Sequence, residues 1–294
     1  LLEIGANNKI INNMSTESRY LWVSESFDSN LCQNYYFYGI LEANRITVCV
    51  VDESQAELKA LQEIEGRDFL NSSANVEAAL NKIKFINNDY RQLKMAIHSE
   101  RNCLLPASLP TKLEKLASIE ITPPTDSESW LNENVISGKF NLLGIINKNV
   151  ELVLEQTMPN LKTNNLASTF LEEEQKLTRF HKKGSCRWLI SKNASYICIF
   201  KERKLMFFNY FNISNTEDLI YYTLNVFEQL EIEANDIDIA ISGQLKFIDF
   251  NEKLALEYLP NTNVFRELQA LKTQYLNDAA ISRNFTLLNM FLCE

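Results

Sequence analysis

The chain has 294 residues, of which 46% are hydrophobic and 23% charged, with a formal net charge of -9 and a pI near 5.0. This length is sufficient for two modest domains with cores of their own. The acidic balance argues against nucleic-acid binding and against docking on anionic membranes, because both require a basic surface. No apolar run approaches the roughly 20 residues that span a bilayer.

The N-terminal residues and the cysteines bear on the compartment. Residues 1–15 contain no apolar stretch of the length that a signal peptide requires. Six cysteines are present, and none forms a Cys-x-x-Cys pair. We therefore expect reduced thiols and a cytoplasmic protein.

The first part of the sequence predicts an N-terminal extension followed by a folded lobe. Residues 1–34 are polar, and we expect a loosely held N-terminal extension with one short strand at Tyr20–Val23. Lobe I is predicted over residues 35–183. Its second strand is apolar at nearly every position, which is typical of a strand covered on both faces. The three opening strands are predicted at Tyr36–Leu41, Ile46–Val51 and Leu58–Ile64.

The rest of lobe I alternates helices and strands around an insertion. Asn75 is predicted to cap a helix whose apolar positions continue to Ile86. Residues 99–138 have no counterpart later in the chain and are predicted to be an insertion with a short helix at Lys112–Leu116. Glu172–Glu174 is interpreted as a solvated helix face. The remaining elements are predicted as strand Leu93–Ile97, strand Asn141–Ile146, helix Val150–Met158, a strand near Leu161 and helix Leu166–Phe180, which ends in a basic segment with His181.

Lobe II is predicted over residues 184–294. Its first helix starts with a capping box, Ser214–Glu217. The core elements are predicted as strands Trp188–Ser191, Tyr196–Lys201 and Leu205–Asn209, helix Glu217–Leu230 and strand Ile237–Ser242. They are followed by helix Asn251–Leu259, a strand near Val264, a helical stretch at Leu268–Tyr275 and an apolar run at Phe285–Leu292.

Two alignments predict an internal duplication. The segment from Glu42 to Asp52 aligns with Ser191 to Lys201 at a constant offset, so that Cys49 meets Cys198. Separately, Leu-Val-Leu-Glu before Pro159 resembles Leu-Ala-Leu-Glu before Pro260. Either match alone could be chance, but both occur in the same order of elements. The repeated plan, β-β-β-α-β-α-β-α, is that of actin-like, RNase H-like nucleotide-binding lobes.

Several segments resemble an uncharacterised Bacteroidetes family of unknown function. They are Cys103–Pro106, Lys204–Phe211, Asp218–Tyr222, Ile237–Gly243 and Phe285–Glu294. The resemblance spans most of residues 35–294. It implies an actin-like ATPase fold of class α/β, similar to the pilus-assembly protein PilM and the cell-division protein FtsA. It implies two duplicated mixed-sheet lobes with an insertion in lobe I, and no established reaction.

In actin-like ATPases the phosphates lie between two tight turns, one after the first strand of each lobe. Such turns use Gly, because a Cβ would block the close approach of phosphate to the backbone. Here the turns read Leu41–Arg45 and Ser191–Ser195, and neither contains Gly or Asp. Degenerate phosphate contacts are therefore predicted only at Asn44, Arg45, Lys192 and Asn193. The alternative is that both are ordinary polar hairpin turns.

A third turn, Ser242-Gly243-Gln244, follows the last core strand of lobe II. The resemblance places an adenosine-binding turn here, and one Gly of the usual pair remains. These three residues are predicted as a remnant adenosine turn. The alternative is that Gly243 simply permits the chain to leave the strand.

Other catalytic patterns are poorly supported. The two histidines, His98 and His181, belong to no metal or hydrolase motif. His98 is interpreted as a satisfied polar residue at a strand end, and a pairing with Cys103 lacks a third orienting group. We predict no catalytic residues, no metal site and no tightly required cofactor.

The sequence therefore favours a degenerate, non-hydrolysing actin-like scaffold or protein-binding module, with a protein partner or further copies of itself. The alternative is an ATP-binding conformational switch or weak Mg-ATPase with the nucleotide between the lobes. Nucleic acid and direct membrane insertion are not expected.

Overall fold

The computed structural model describes residues 16–86, 89–109, 112–178, 184–264, 271–273 and 276–293. These residues form a mixed α/β fold with three sheets. Among the described residues, no helix combines the length and the hydropathy needed to cross a bilayer.

Lobe I is built on a six-stranded sheet in the order β1-β4-β3-β2-β5-β9. The strands β2, β3 and β4 pair antiparallel, whereas β5 and β9 join β2 in parallel. The strands are β1 (Glu17–Val23), β2 (Tyr36–Glu42), β3 (Arg45–Asp52), β4 (Glu57–Glu65), β5 (Gln92–Ile97) and β9 (Leu161–Asn165). The helices that accompany them are α1 (Ser73–Leu80), α3 (Lys148–Thr157) and α4 (Leu166–Leu177).

The insertion forms a sheet of its own, which corrects the predicted assignment. Its antiparallel order is β6-β8-β7, and a short helix, α2 (Leu113–Glu120), packs on it. The strands are β6 (Asn102–Pro106), β7 (Glu128–Val135) and β8 (Phe140–Asn147). The strand predicted at Asn141–Ile146 therefore belongs to the insertion sheet and not to the main sheet of lobe I.

Lobe II is built on a five-stranded sheet in the order β12-β11-β10-β13-β14. Its strands are β10 (Gly184–Ser191), β11 (Ala194–Lys201), β12 (Lys204–Asn212), β13 (Asp238–Gly243) and β14 (Thr262–Asn263). Its helices are α5 (Thr216–Gln229), α6 (Glu252–Tyr258), α7 (Asp278–Arg283) and α8 (Phe285–Asn289).

The two main sheets repeat one topology. Three antiparallel strands (β2–β4 or β10–β12) are followed by two parallel ones. In both orders the first of these strands, β2 or β10, lies between the other two antiparallel strands and the parallel ones. The aligned turns join β2 to β3 and β10 to β11, and the aligned Leu-rich segments lie on α3 and α6, each just before the fifth strand of its unit. Both sequence alignments thus connect equivalent positions of the duplicated fold.

Three buried hydrophobic clusters hold this arrangement together. One lies under α1 and α3 in lobe I, and one lies under α5 and α6 in lobe II. The third is shared by both lobes, since it joins Tyr38 and Leu61 of the first sheet, Phe170 of α4, and Tyr196 and Leu288 of lobe II. Each such side chain contributes roughly 1.5–3 kcal/mol by burial, so separating the lobes would cost many times that amount.

A buried ion cluster lies beside this shared core. Arg187 of β10 is 0% exposed, and its guanidinium is 2.8 Å from Glu173 Oε1 and 3.4 Å from Glu174 Oε2. The interpretation of Glu172–Glu174 as a solvated face is therefore wrong for two of its three residues. The periodicity of a helix does not reveal a cation on a later strand.

Several predicted boundaries also differ. Ser72, not Asn75, caps α1, and the helix ends at Leu80, well short of Ile86. The predicted helix at Leu268–Tyr275 is wrong where it is described, because Lys272 forms a parallel β-bridge with Glu57. The basic segment with His181 and residues 1–15 lie outside the described residues, and the predicted strand near Tyr20 is the seven-residue β1, paired with β4.

Candidate functional site between the lobes

A cavity of about 270 Å³ lies between the lobes, beside the turn that follows β13. Lobe I contributes residues of β3 and β4, and lobe II contributes the β13 turn and α7. The charged and polar lining residues are Arg45, Glu63, Glu65, Gln244, Lys246, Asp278, Ser282 and Arg283. Three residues predicted from sequence, Arg45, Gly243 and Gln244, are brought together here.

Gly243 has a structural reason to be glycine. Its φ is +98°, and a Cβ at this position would lie 2.1 Å from the carbonyl oxygen of Ile190. The turn therefore requires both a left-handed backbone and a close approach to β10. The next peptide N–H, that of Gln244, donates to the same Ile190 oxygen at 2.7 Å.

Gln244 is 2% exposed, and neither atom of its side-chain amide has a hydrogen-bond partner among the described residues. An unpaired buried polar group costs roughly 1–3 kcal/mol. An amide in this state can both donate to and accept from a group placed in the cavity, and this feature points to a ligand more than any other in the site.

Arg45 is engaged within the protein. Its Nε and Nη2 lie 2.8 and 2.6 Å from Glu42 Oε2 across the β2–β3 turn, and both side chains are buried. Its Nη1 donates to Asn284 Oδ1 at 3.4 Å. Its charge is thus already balanced by a carboxylate in the turn where a phosphate-binding lobe would leave it free.

The other cations of the cavity are paired as well. Arg283 lies 3.1 Å from Glu63, and Lys246 lies 2.7 Å from Glu65. Burial alone would raise the pKa of Glu65, but hydrogen bonds from Lys246 and Arg19 outweigh it and lower that pKa, so the carboxylate stays ionised. A polyphosphate does not fit this arrangement of charges, whereas a nucleoside-sized uncharged group would meet no such conflict.

The remaining predicted residues do not line the cavity. Lys192 and Asn193 are exposed in the β10–β11 turn, where Asn193 has a φ of +59°. The Ser242 hydroxyl accepts from Arg187 Nη2 at 3.3 Å and belongs to the buried ion cluster. Asn44 is buried, and its carbonyl accepts from the Gly66 N–H at 3.0 Å.

Aromatic side chains form a second contact between the lobes. Tyr196 donates its hydroxyl proton to the Ser99 carbonyl at 2.9 Å, so its oxygen can accept from His98 Nδ1 at 3.1 Å. His98 Nε2 then accepts from the Tyr210 hydroxyl at 3.3 Å. Burial lowers the pKa of His98 to about 4, against a smaller opposite effect of Glu42. His98 is thus a neutral, satisfied residue, as expected, and Cys103 packs elsewhere with Leu143 and Ala117.

Sequence reasoning missed the contribution of α7. Asp278, Ser282 and Arg283 all line the cavity, yet no helix is predicted from the short run that carries them. The one local signal is Asn277, whose side chain caps the helix by accepting from the Ala280 N–H at 2.9 Å. Within the described part of the chain, no group of three or more His, Cys, Asp or Glu residues is placed to hold a metal ion.

Comparison with known families decides the assignment. The model of the family described as "Protein of unknown function (DUF3822)" matches residues 25–262. The chain belongs to the DUF3822 family. None of the curated proteins compared with it matches significantly.

Solved structures show the fold of this DUF3822 chain. A Bacteroides thetaiotaomicron protein with an actin-like ATPase fold and unknown function shares 18% identity over 91% of this chain and 99% of its own, with a TM-score of 0.74. The PilM–PilN type IV pilus biogenesis complex contains a chain with 11% identity, 87% and 97% coverage and a TM-score of 0.58. The chain therefore has an actin-like ATPase fold, and the predicted resemblance is confirmed.

Proposed function

We propose that this DUF3822 protein is a non-hydrolysing actin-like scaffold that binds protein partners in the cytoplasm. The observation that supports this most is the buried Glu42–Arg45 pair, which occupies the β2–β3 turn and neutralises its cation. An arginine held at 2.6 Å by a carboxylate on the same turn is a poor ligand for a transferring phosphoryl group. Catalysis of that transfer depends on free, positioned positive charge.

Two further features support a fixed scaffold. The shared hydrophobic cluster and the His98–Tyr196–Tyr210 network join the lobes through buried contacts. A protein whose lobes open and close around a nucleotide needs a cleft that can hydrate at low cost. Opening the lobes here would expose buried aromatic rings to water, which favours a fixed arrangement. The PilM–PilN structure is itself a complex of an actin-like chain with another protein.

The test measures phosphate release from Mg-ATP by the wild type and by Glu42→Gln, which frees Arg45 without changing the shape of the turn. The wild type should release no phosphate above the buffer rate. Steady turnover by the wild type that is lost on Arg45→Gln would contradict the proposal. Arg45→Lys is the matched control, since it keeps the charge next to Glu42.

A second candidate function, a nucleotide-binding switch, is favoured by the unpartnered Gln244 amide in the cavity. A ligand that binds only the folded chain raises its melting temperature. The switch predicts a saturable rise with adenosine or Mg-ATP that Gln244→Leu abolishes. Gly243→Arg is unsuitable as a probe, because even a Cβ collides with the β10 backbone. No shift at millimolar nucleotide would exclude the switch.

A further inference from the structure

The outer strand of the lobe II sheet, β12, carries apolar residues on both faces. β12 lies at the end of the strand order, next to β11 alone among the described strands. It packs Leu205, Phe208 and Tyr210 against the shared core and Phe207 and Phe211 against the lobe II core. Apolar residues on both faces are typical of a strand whose two faces are both covered, but they do not protect its open edge. Edge strands are usually protected by charge, proline or brevity instead.

An aromatic ladder extends this edge over the adjacent helix. We use that name for Phe207, Phe211, Tyr222 and Tyr221. The ring centroids of Phe207 and Phe211 are 6.1 Å apart, those of Phe211 and Tyr222 4.4 Å, and those of Tyr222 and Tyr221 5.5 Å. Tyr221 is 65% exposed. Tyrosine and phenylalanine are enriched in the buried centres of protein interfaces.

Beyond the irregularity between Leu205 and Phe207, the backbone of β12 offers a regular row of hydrogen-bonding groups to a further strand. The Ile213 N–H, just past the strand, donates to Asn193 O at 3.0 Å and so faces β11. By alternation, the peptide groups of Phe208 and Tyr210 face the open side. The Tyr210 N–H is bonded there by its neighbour's side-chain oxygen, Asn209 Oδ1, at 2.8 Å. Asn209 thus takes the place that a carbonyl of an added strand would take.

The sequence of the edge is nearly a palindrome centred on Asn209, reading Phe-Phe-Asn-Tyr-Phe over residues 207–211. We propose that β12 pairs antiparallel with β12 of a second copy, about a two-fold axis at Asn209. Phe208 then lies opposite Tyr210 of the second copy, and Phe207 opposite Phe211. Once the Asn209 side chain releases the Tyr210 N–H, the first pair exchanges both outward peptide hydrogen bonds, and both pairs place aromatic rings side by side. A two-fold interface requires this self-complementarity.

Charge complementarity supports the same register. The irregularity of β12 lies between Asn209 and Lys204, so the register brings Lys204 of one copy near Ser214 of the other without fixing an exact pair. The exposed turn residues Arg203 and Lys204 therefore approach the start of α5 in the second copy, where Glu217 is exposed and Asp218 half-buried. The edge groups of both copies would be covered, and the two five-stranded sheets would become one.

This inference rests on the proposed function, since it names the partner of the scaffold as a second copy. The first experiment compares the mass in solution of wild type, Asn209→Lys and Asn209→Thr by analytical ultracentrifugation over a concentration series. Asn209 is exposed, so all three should have similar melting temperatures. Two lysines at the axis should weaken the dimer by about fivefold or more, whereas Asn209→Thr should keep it.

The second experiment tests the register with cysteines in a Cys293→Ser background. Asn209→Cys places two thiols across a non-hydrogen-bonded pair, at a Cα separation within the range of a disulfide. It should cross-link readily on mild oxidation. Asn212→Cys is the matched control, because in this register its two copies lie roughly 20 Å apart and should not cross-link.

A wild type that stays monomeric, a dimer that Asn209→Lys leaves intact, or equal cross-linking of both cysteine variants would overturn the inference. Mg-ATP turnover is measured on the same samples. Turnover by an intact dimer would contradict the non-hydrolysing function but not the dimer. A monomer without turnover would contradict only the dimer.

Discussion

The buried cluster around Arg187 allows a sharp test of how the lobes are held together. Two carboxyl groups, Glu173 and Glu174, share one guanidinium in a site with 0% exposure. Burial raises the pKa of Glu173, although the ion pair with Arg187 opposes this. One guanidinium balances only one of two negative charges, so we expect Glu173 and Glu174 to hold one proton between them.

The magnitudes follow from this protonation. Arg187→Met leaves a buried carboxylate without a cation, which costs about 3–5 kcal/mol, or on the order of 10 °C in melting temperature for a chain of this size. Glu173→Gln and Glu174→Gln each leave one carboxylate for the one guanidinium, so each should cost clearly less than Arg187→Met. Adding Glu174→Gln to Arg187→Met should recover part of the loss through their coupling.

The assay is urea unfolding followed by circular dichroism, with the melting temperature as a second readout. The double-mutant cycle of Arg187 and Glu174 isolates the pair. The reasoning is refuted if Glu173→Gln or Glu174→Gln destabilises as much as Arg187→Met, since both carboxylates would then be ionised partners. It is equally refuted if Arg187→Met is neutral.

Two further outcomes are expected. Gln244→Leu should raise the free energy of unfolding of the ligand-free protein by about 1–3 kcal/mol, because it removes an unpaired buried amide; a loss of stability in urea unfolding would show that the amide has a partner. The folded-state pKa of His98, about 4, lies below the value of about 6.5 for an unperturbed histidine, so the unfolded chain takes up the proton first as the pH falls. Stability should be full above about pH 6.5, decline by about 3 kcal/mol as the pH drops towards 4, and level off below. The difference in the free energy of unfolding between the wild type and His98→Gln, measured at each pH, should change within that window. A difference that does not depend on pH would show that His98 is not held neutral.

Much of the fold could be predicted because buried strands carry local signals. β3 and β11 are apolar at nearly every position and bounded by polar turns, so their pairing and the duplication are visible in the sequence. β7 was missed because Glu-Ser-Trp-Leu-Asn-Glu-Asn-Val is covered on one face only and carries mostly polar residues. The predicted lobe boundaries, at residues 35, 183 and 184, remain predictions.

The site was predictable only where topology determines it. Arg45 follows β2, the first repeated strand of lobe I, and Gly243 ends β13, the fourth strand of lobe II, so their approach across the lobes could be inferred only from the resemblance to actin-like lobes. Glu42, which neutralises Arg45, lies on the same turn. The further contact from Asn284 could not be predicted, because Asn284 is distant in sequence and its position depends on how α8 docks. The same limit explains the misinterpretation of Glu173 and Glu174, whose partner Arg187 lies on another lobe.

The place of α8 has a consequence for biosynthesis. This helix lies near the end of the chain, yet it packs against β2, β3 and α4, which emerge from the ribosome much earlier. The apolar surface of the first sheet that α8 covers therefore stays exposed to solvent until the second lobe has been translated. The roughly 240 residues between β3 and α8 take about 10–50 s to translate at 5–20 residues per second. Nascent chains stalled after α4 should consequently recruit chaperones, whereas chains stalled with α8 fully emerged should not.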